Sequence, residues 1–318
     1  MTATTGDNYL VVSLDGGGIR GIVSSRLLER LERAHPGVLE RVDLYAGTST
    51  GGILALSLAA GRSPAEMTAL YLKHGREVFA RRRARGKVDS LVHPHYRSEP
   101  LKRMLDAIFG EMTLGDLPRK VLVSAFEVNA IASAGSGAGA EGESARHTWK
   151  PKFFHNFPEV GADDLDQRVV DVALRTSAAP TFFPIYQGFI DGGVVAANPS
   201  LCALVQALDP RAAGRTIGDI RLLSIGTGAY PRSIEIDDPN WGFVRWAPHL
   251  LSIMFEGGTS MVDFQCRQLL GPAYLRIDPP LPQRIGLDSV EEAAALGAVA
   301  DAEDLTDARR WLDNALGS

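Results

Sequence analysis

Asp15-Gly16-Gly17-Gly18-Ile19-Arg20-Gly21 follows the apolar run Tyr9–Leu14, and Gly47-Thr48-Ser49-Thr50-Gly51 follows Val42–Ala46. Tyr9–Leu14 (YLVVSL) has the length and β-branched content of a buried strand, and Val42–Ala46 is a second strand candidate. After the first glycine run, apolar residues recur at Ile22, Val23, Leu27, Leu28 and Leu31, the spacing of an amphipathic helix. After the second comes the apolar helix candidate Ile53–Ala60. Strand, glycine turn and helix, twice over, predict an α/β fold with a mainly parallel central sheet between helices.

Outward from these units, helical patterns cover Pro64–Ala80, Pro100–Phe109 and Val169–Arg175. Strand-like runs cover Val121–Val128, His147–Phe154 and Ile220–Ile225. The small-residue segment Ala132–Ala145 reads as a mobile loop. From Trp241 onward the pattern is helical, in Trp241–Leu270, Val290–Ala298 and Leu305–Leu316. No fixed-period repeat and no linker are visible. The expectation is one domain over residues 1–318, with its motifs in about 9–200 and a helical C-terminal layer in about 201–318.

The 318 residues are 45% hydrophobic and 22% charged, enough to build a large core without disulfide or metal staples. Cys202 and Cys266 stand far apart in no metal-ligand spacing, which fits a reducing compartment. A net charge of −5 gives no general attraction for a polyanion, so nucleic acid is not an expected partner. The first ten residues lack the basic start and apolar centre of a secretory signal. Gly51–Gly61 is too short to span a bilayer, which takes about 20 residues. The expected location is cytoplasmic.

The first glycine turn satisfies G-x-G-x-x-G at Gly16, Gly18 and Gly21, between a strand and a helix as a dinucleotide site requires. The acidic residue such a site needs about 20 positions later is not convincingly supplied by Glu32, Glu40 or Asp43. The same turn suits anion stabilisation, because consecutive glycines let N–H groups converge ahead of a helix N-terminus, with Arg20 adding charge. A tight turn needing positive φ is the purely structural reading.

Gly47–Gly51 has the G-x-S-x-G form that lifts a serine hydroxyl from a sharp strand-to-helix turn. The following helix favours an alkoxide at Ser49. A serine nucleophile needs a base. His249 is the one histidine beyond Asp191, and its helical, aromatic surroundings read as packing. Asp191, in Ile190-Asp191-Gly192-Gly193, is the other candidate, although in isolation an ordinary Asp-Gly turn explains it better.

DGGGIRG, GTSTG, SAAPTFFP (Ser177–Pro184) and a following DGG, in this order over about residues 9–200, resemble the patatin-like phospholipase family. The resemblance implies a three-layer patatin-like fold and a Ser–Asp dyad hydrolase of lipid acyl esters that uses no catalytic histidine, metal or cofactor. Carried over by motif, Ser49 is the nucleophile on an elbow of Gly47, Thr48, Thr50 and Gly51, and Asp191 is the base. Gly16, Gly17 and Gly18 form the oxyanion loop, supported by Arg20, and Ser177–Pro184 is an active-site wall. A carboxylate with an ordinary pKa of about 3.9 is a poor base near neutrality. Raising it by ~2 units takes roughly 2.7 kcal/mol of desolvation.

The implied partner is a phospholipid or other acyl lipid drawn from an interface or a carrier, with peripheral contact at the membrane as one expectation. Arg81–Lys87 concentrates five positive charges that suit anionic headgroups or a solvated helix end. The apolar stretch from Trp241 to Phe255 suits a core, an acyl groove or an interface. An acyltransferase using the same serine, and a signal-activated membrane-degrading phospholipase of antiviral defence, are the alternative functions. An oligomer has no support in the sequence.

Overall fold

The computed structural model describes residues 8–82, 93–131, 147–231, 233–236 and 238–317. The Ala132–Ala145 loop and the Arg83–Lys87 part of the basic run lie outside the described residues. The expected alternation is present. Strand β1 (Tyr9–Leu14) leads through the glycine run to α1 (Gly21–Ala34), and β2 (Leu44–Thr48) leads directly into α2 (Thr50–Ala59). Helices α3 (Pro64–Val78) and α4 (Glu99–Phe109) follow, then β3 (Lys120–Ile131), β4 (His147–His155) and α5 (Val169–Thr176). Next come β5 (Phe189–Asp191), α6 (Ser200–Leu208) and β6 (Ile220–Ile225). The chain closes with α7 (Phe243–Leu270), β7 (Tyr274–Ile277), α8 (Ala293–Ala302) and α9 (Thr306–Leu316).

The strands form one seven-stranded sheet in the order β4-β3-β2-β1-β6-β7, with β5 pairing to β3 off this path. All pairings from β3 across to β7 are parallel, whereas β4 and β5 run antiparallel to β3. Alternation along β1 divides the core. Leu10, Val12 and Leu14 face the larger apolar cluster with Leu27, Leu28 and Leu54, while Tyr9 and Val11 face a second cluster with Leu204, Cys266 and Tyr274. Helices therefore cover both faces, giving three layers.

Two details depart from the sequence expectation. The C-terminal part is not purely helical, since it supplies β6 and β7; β7 is four residues long and carries a charge, which hid it from an apolar-run reading. Strand β2 also continues through Gly47 and Thr48 instead of ending at Ala46. Gly47 pairs with both Leu14 and Val123, and a Cβ there would collide with the backbone of Gly51. This glycine is therefore required for close approach within the strand.

Candidate active site

Register sets the geometry. Leu14 aligns with Gly47 and Ile225, and Ile225 aligns with Ile277, so the segments after β1, β2, β6 and β7 all leave from the C-terminal edge of the sheet. Open parallel sheets bind ligands at this edge. Strand β3 is longer than its neighbour. Its Lys120–Ser124 pairs with β2 and its next residues, Ala125–Glu127, pair with β5. Thr48 opposes Ser124, and Asp191 opposes Ala125. One strand thereby sets the end of β2 against the end of β5, bringing Ser49 to Asp191.

Ser49 lies between β2 and α2 with φ 55° and ψ −123°, a conformation side chains rarely adopt and one that costs of order 1–3 kcal/mol. Its N–H donates to Thr176 Oγ1 at 2.8 Å. A Cβ on Gly51 would strike the Leu14 carbonyl, so this glycine lets α2 start hard against β1. Behind the turn, Ser124 Oγ and Thr48 Oγ1 are 2.6 Å apart, and Thr48 Oγ1 donates to Ala196 O at 2.6 Å. These bonds tie the serine turn to the single helical turn Gly193–Ala196 that follows Asp191.

Ser49 stands beside Asp191, where its hydroxyl favours the ionised carboxylate, and Gly193 N–H donates to Asp191 Oδ1 at 2.7 Å. Asp191 is 2% exposed. Burial pushes its pKa up to about 6, against the opposing pull of Ser49 and the Gly193 N–H. The carboxyl is thus held where it can change protonation near neutrality. Asp191 N–H donates to Ala178 O at 3.0 Å, so the Ser177–Pro184 segment braces the carboxylate as well as lining the site.

The glycine loop lies alongside. A Cβ built on Gly16 would sit 3.4 Å from Ser49 Cβ. Gly16 N–H is already donated to Ala197 O at 2.9 Å, which removes it from the expected set of anion donors. Among the described residues, no hydrogen bond occupies the N–H of Gly17 or Gly18. Gly18 has φ +58°, and a Cβ there would run into the Leu287 carbonyl, so only glycine fits. Arg20 Nη1 reaches Gly228 O at 3.4 Å, linking this loop to the turn after β6.

A charged network missing from the sequence reading supports the loop from below. The buried Arg276 donates to Asp15 Oδ2 at 2.6 Å, Asp278 Oδ2 at 2.8 Å and Ser224 Oγ at 2.8 Å. Asp278 Oδ1 accepts Gly228 N–H at 2.9 Å. The usable signal was Arg276-Ile277-Asp278, two charges alternating at the end of a parallel strand that is ordinarily apolar. Thr176, Ser124 and Tyr71 also escaped the sequence reading; Tyr71 OH lies 2.5 Å from Thr50 Oγ1.

Ser49, Asp191 and Gly16–Gly18 line a cavity of about 650 Å³. Its walls include Ile53, Leu70, Val78, Leu101, Met104 and Phe183, an apolar chamber of ligand-binding size. Among the described residues no histidine lines it. His249 instead packs its ring 5.7 Å from that of Trp241. No group of three or more His, Cys, Asp or Glu suited to a metal ion occurs among the described residues, and none of the described helices is long and apolar enough to cross a membrane.

The family model described as patatin-like phospholipase matches residues 12–204, which contain the serine turn, the glycine loop and Asp191. The chain belongs to the patatin-like phospholipase family. Similar proteins of this kind include the cGAMP-activated phospholipase of Pseudomonas aeruginosa, 34% identical over 282 residues covering 85% of this chain and 78% of the relative. CotR of Bacillus subtilis is 29% identical over 336 residues, covering 98% of this chain and 99% of its own. Among solved structures, human GIVD cytosolic phospholipase A2 aligns over 98% of this chain and 63% of its own, with 11% identity and a TM-score of 0.44.

Proposed function

We propose that this protein is a lipid acyl hydrolase that cleaves carboxylic esters of glycerolipids through Ser49 and Asp191. The observation that carries the proposal is the placing of Ser49, after β2, beside the buried, pKa-raised Asp191 at the end of β5, both lining one cavity with largely apolar walls. The absence of a histidine from the described lining favours this pair over a histidine triad.

Ser49 Oγ attacks the ester carbonyl carbon while Asp191 takes the hydroxyl proton. The carbonyl oxygen becomes an oxyanion that accepts from Gly17 and Gly18 N–H, and the positive end of α2 stabilises the same charge. Collapse of the tetrahedral intermediate breaks the ester C–O bond, and Asp191 returns its proton to the leaving alcohol. Asp191 then deprotonates a water that attacks the acyl-serine, releasing the fatty acid and restoring Ser49. Desolvation makes the carboxylate basic enough for this role, and the apolar chamber accommodates the acyl chain. Membership of the phospholipase family supports a glycerolipid substrate.

Fatty-acid release is measured from phospholipids, lysophospholipids and short-chain esters for wild type, Ser49→Ala and Asp191→Asn, with and without cGAMP. The nucleotide arm follows the name of the Pseudomonas aeruginosa relative. Both substitutions are expected to lower release by 10³-fold or more, on the order of the loss when a nucleophile or its base is removed. Activity that survives Asp191→Asn but disappears in His249→Ala would refute the pair.

A further inference from the structure

Helix α7 presents apolar side chains to solvent. Among the described residues fifteen large hydrophobic side chains are exposed, and seven of them lie on this 28-residue helix. That concentration marks one surface. At about 100° per residue, Trp246, Leu250, Ile253, Met254, Met261 and Phe264 fall within one arc of about 100°. Their exposure rises from 36% at Trp246 to 63% at Phe264. The opposite side of the helix is packed. A Cβ on Gly193 would collide with the Phe255 ring, Cys266 is fully buried, and Ser252, Phe255 and Thr259 line the cavity. One helix thus forms a cavity wall on its inner side and a bare apolar stripe on its outer side.

We propose that this stripe docks the protein on a lipid surface, with α7 lying in the plane of the interface beside the cavity that receives the lipid. The proposal rests on the lipid-hydrolase reading for what enters the cavity. The side chains at the start of the stripe favour a lipid surface over a second copy of the chain. Trp241, just before the helix, and Trp246, in its first turn, have rings 5.4 Å apart, and Arg245 sits over Trp241 at 5.7 Å. Trp and Arg are the side chains that settle at headgroup level. With a net charge of −5, attachment is driven by apolar insertion, not by attraction to anionic lipid.

The 318-residue Ser49→Ala protein, which leaves the lipid intact, is floated with phosphatidylcholine vesicles. It is compared with the same protein carrying Ile253→Ser, Met261→Ser and Phe264→Ser. These side chains do not line the cavity, so the triple variant in the Ser49 background keeps its hydrolysis of a monomeric short-chain ester. Its vesicle affinity is expected to fall tenfold or more. Brominated acyl chains are expected to quench Trp246 emission in the protein with its stripe intact, read as the difference from a Trp246→Phe reference. Raising salt from about 0.1 to 0.5 M is expected to leave vesicle binding within about twofold. Unchanged vesicle binding by the triple variant, or unquenched Trp246, overturns the proposal. So does a parent dimer that becomes monomeric in the variant while vesicle binding persists, which assigns the stripe to a second copy. Vesicle binding without ester hydrolysis refutes the hydrolase reading alone, and hydrolysis without vesicle binding refutes the docking alone.

Discussion

Acidification offers the sharpest test of Asp191 as the base. Burial holds its pKa at about 6, so about nine-tenths of the carboxyl is ionised at pH 7 and about one-tenth at pH 5. Since proton abstraction needs the ionised form, kcat/KM on a soluble ester should fall about tenfold between these values. A carboxylate at its ordinary 3.8 would remain more than about nine-tenths ionised at pH 5, and the rate would scarcely change. Asp15 competes for the same assignment, because burial also pushes it up to about 6 despite its contact with Arg276. In Asp15→Asn the residual activity should keep its acidic midpoint if Asp191 sets it. Stability carries the complementary sign. The folded pKa lies above the unfolded one, so the stabilisation from Asp191 is complete below about pH 4 and is lost as pH rises through about 6. A shift of about 2 units corresponds to roughly 3 kcal/mol. Asp191→Asn, inactive, should therefore melt above wild type at pH 7, with the difference shrinking toward pH 4. A rate profile flat down to pH 5, or a midpoint that moves with Asp15→Asn, would refute this assignment.

Two further perturbations probe the glycine loop and its support. Gly18→Ala, forced to φ +58° against the Leu287 carbonyl, should lower kcat by about 10²-fold or more. Gly37→Ala, at φ +83° with open space around it, should cost about 1 kcal/mol in denaturant melts and leave the rate intact. Arg276→Met leaves the buried Asp15 and the half-buried Asp278 without their shared cation and should destabilise the fold by about 3–5 kcal/mol in urea unfolding. A loss below about 1 kcal/mol would show that the network is not what holds the loop.

Much of the architecture could be read from local pattern, because each local feature has a local physical cause. Tyr9–Leu14 is a strand and Ile22–Leu31 is a buried helix face because apolar side chains recur at the period of the sheet and of the helix. The glycines of the two turns mark backbone that must approach other backbone closely, as at Gly47 and Gly51, or take positive φ, as at Gly18. Those constraints act over a few residues, so composition and spacing expose them, and the motif order was enough to indicate the family.

The resemblance implied Ser49 and Asp191 as partners, but what brings them together is tertiary. It depends on β3 outlasting β2 and receiving β5 on the same edge, a register between segments far apart in the chain. The same is true of Arg276 with Asp15 and of Gly16 N–H with Ala197 O. Nor does periodicity say which side of α7 faces the cavity and which faces solvent, because that helix is apolar on both sides. Hydrophobic spacing specifies that a face exists; only packing against the rest of the molecule decides what covers it.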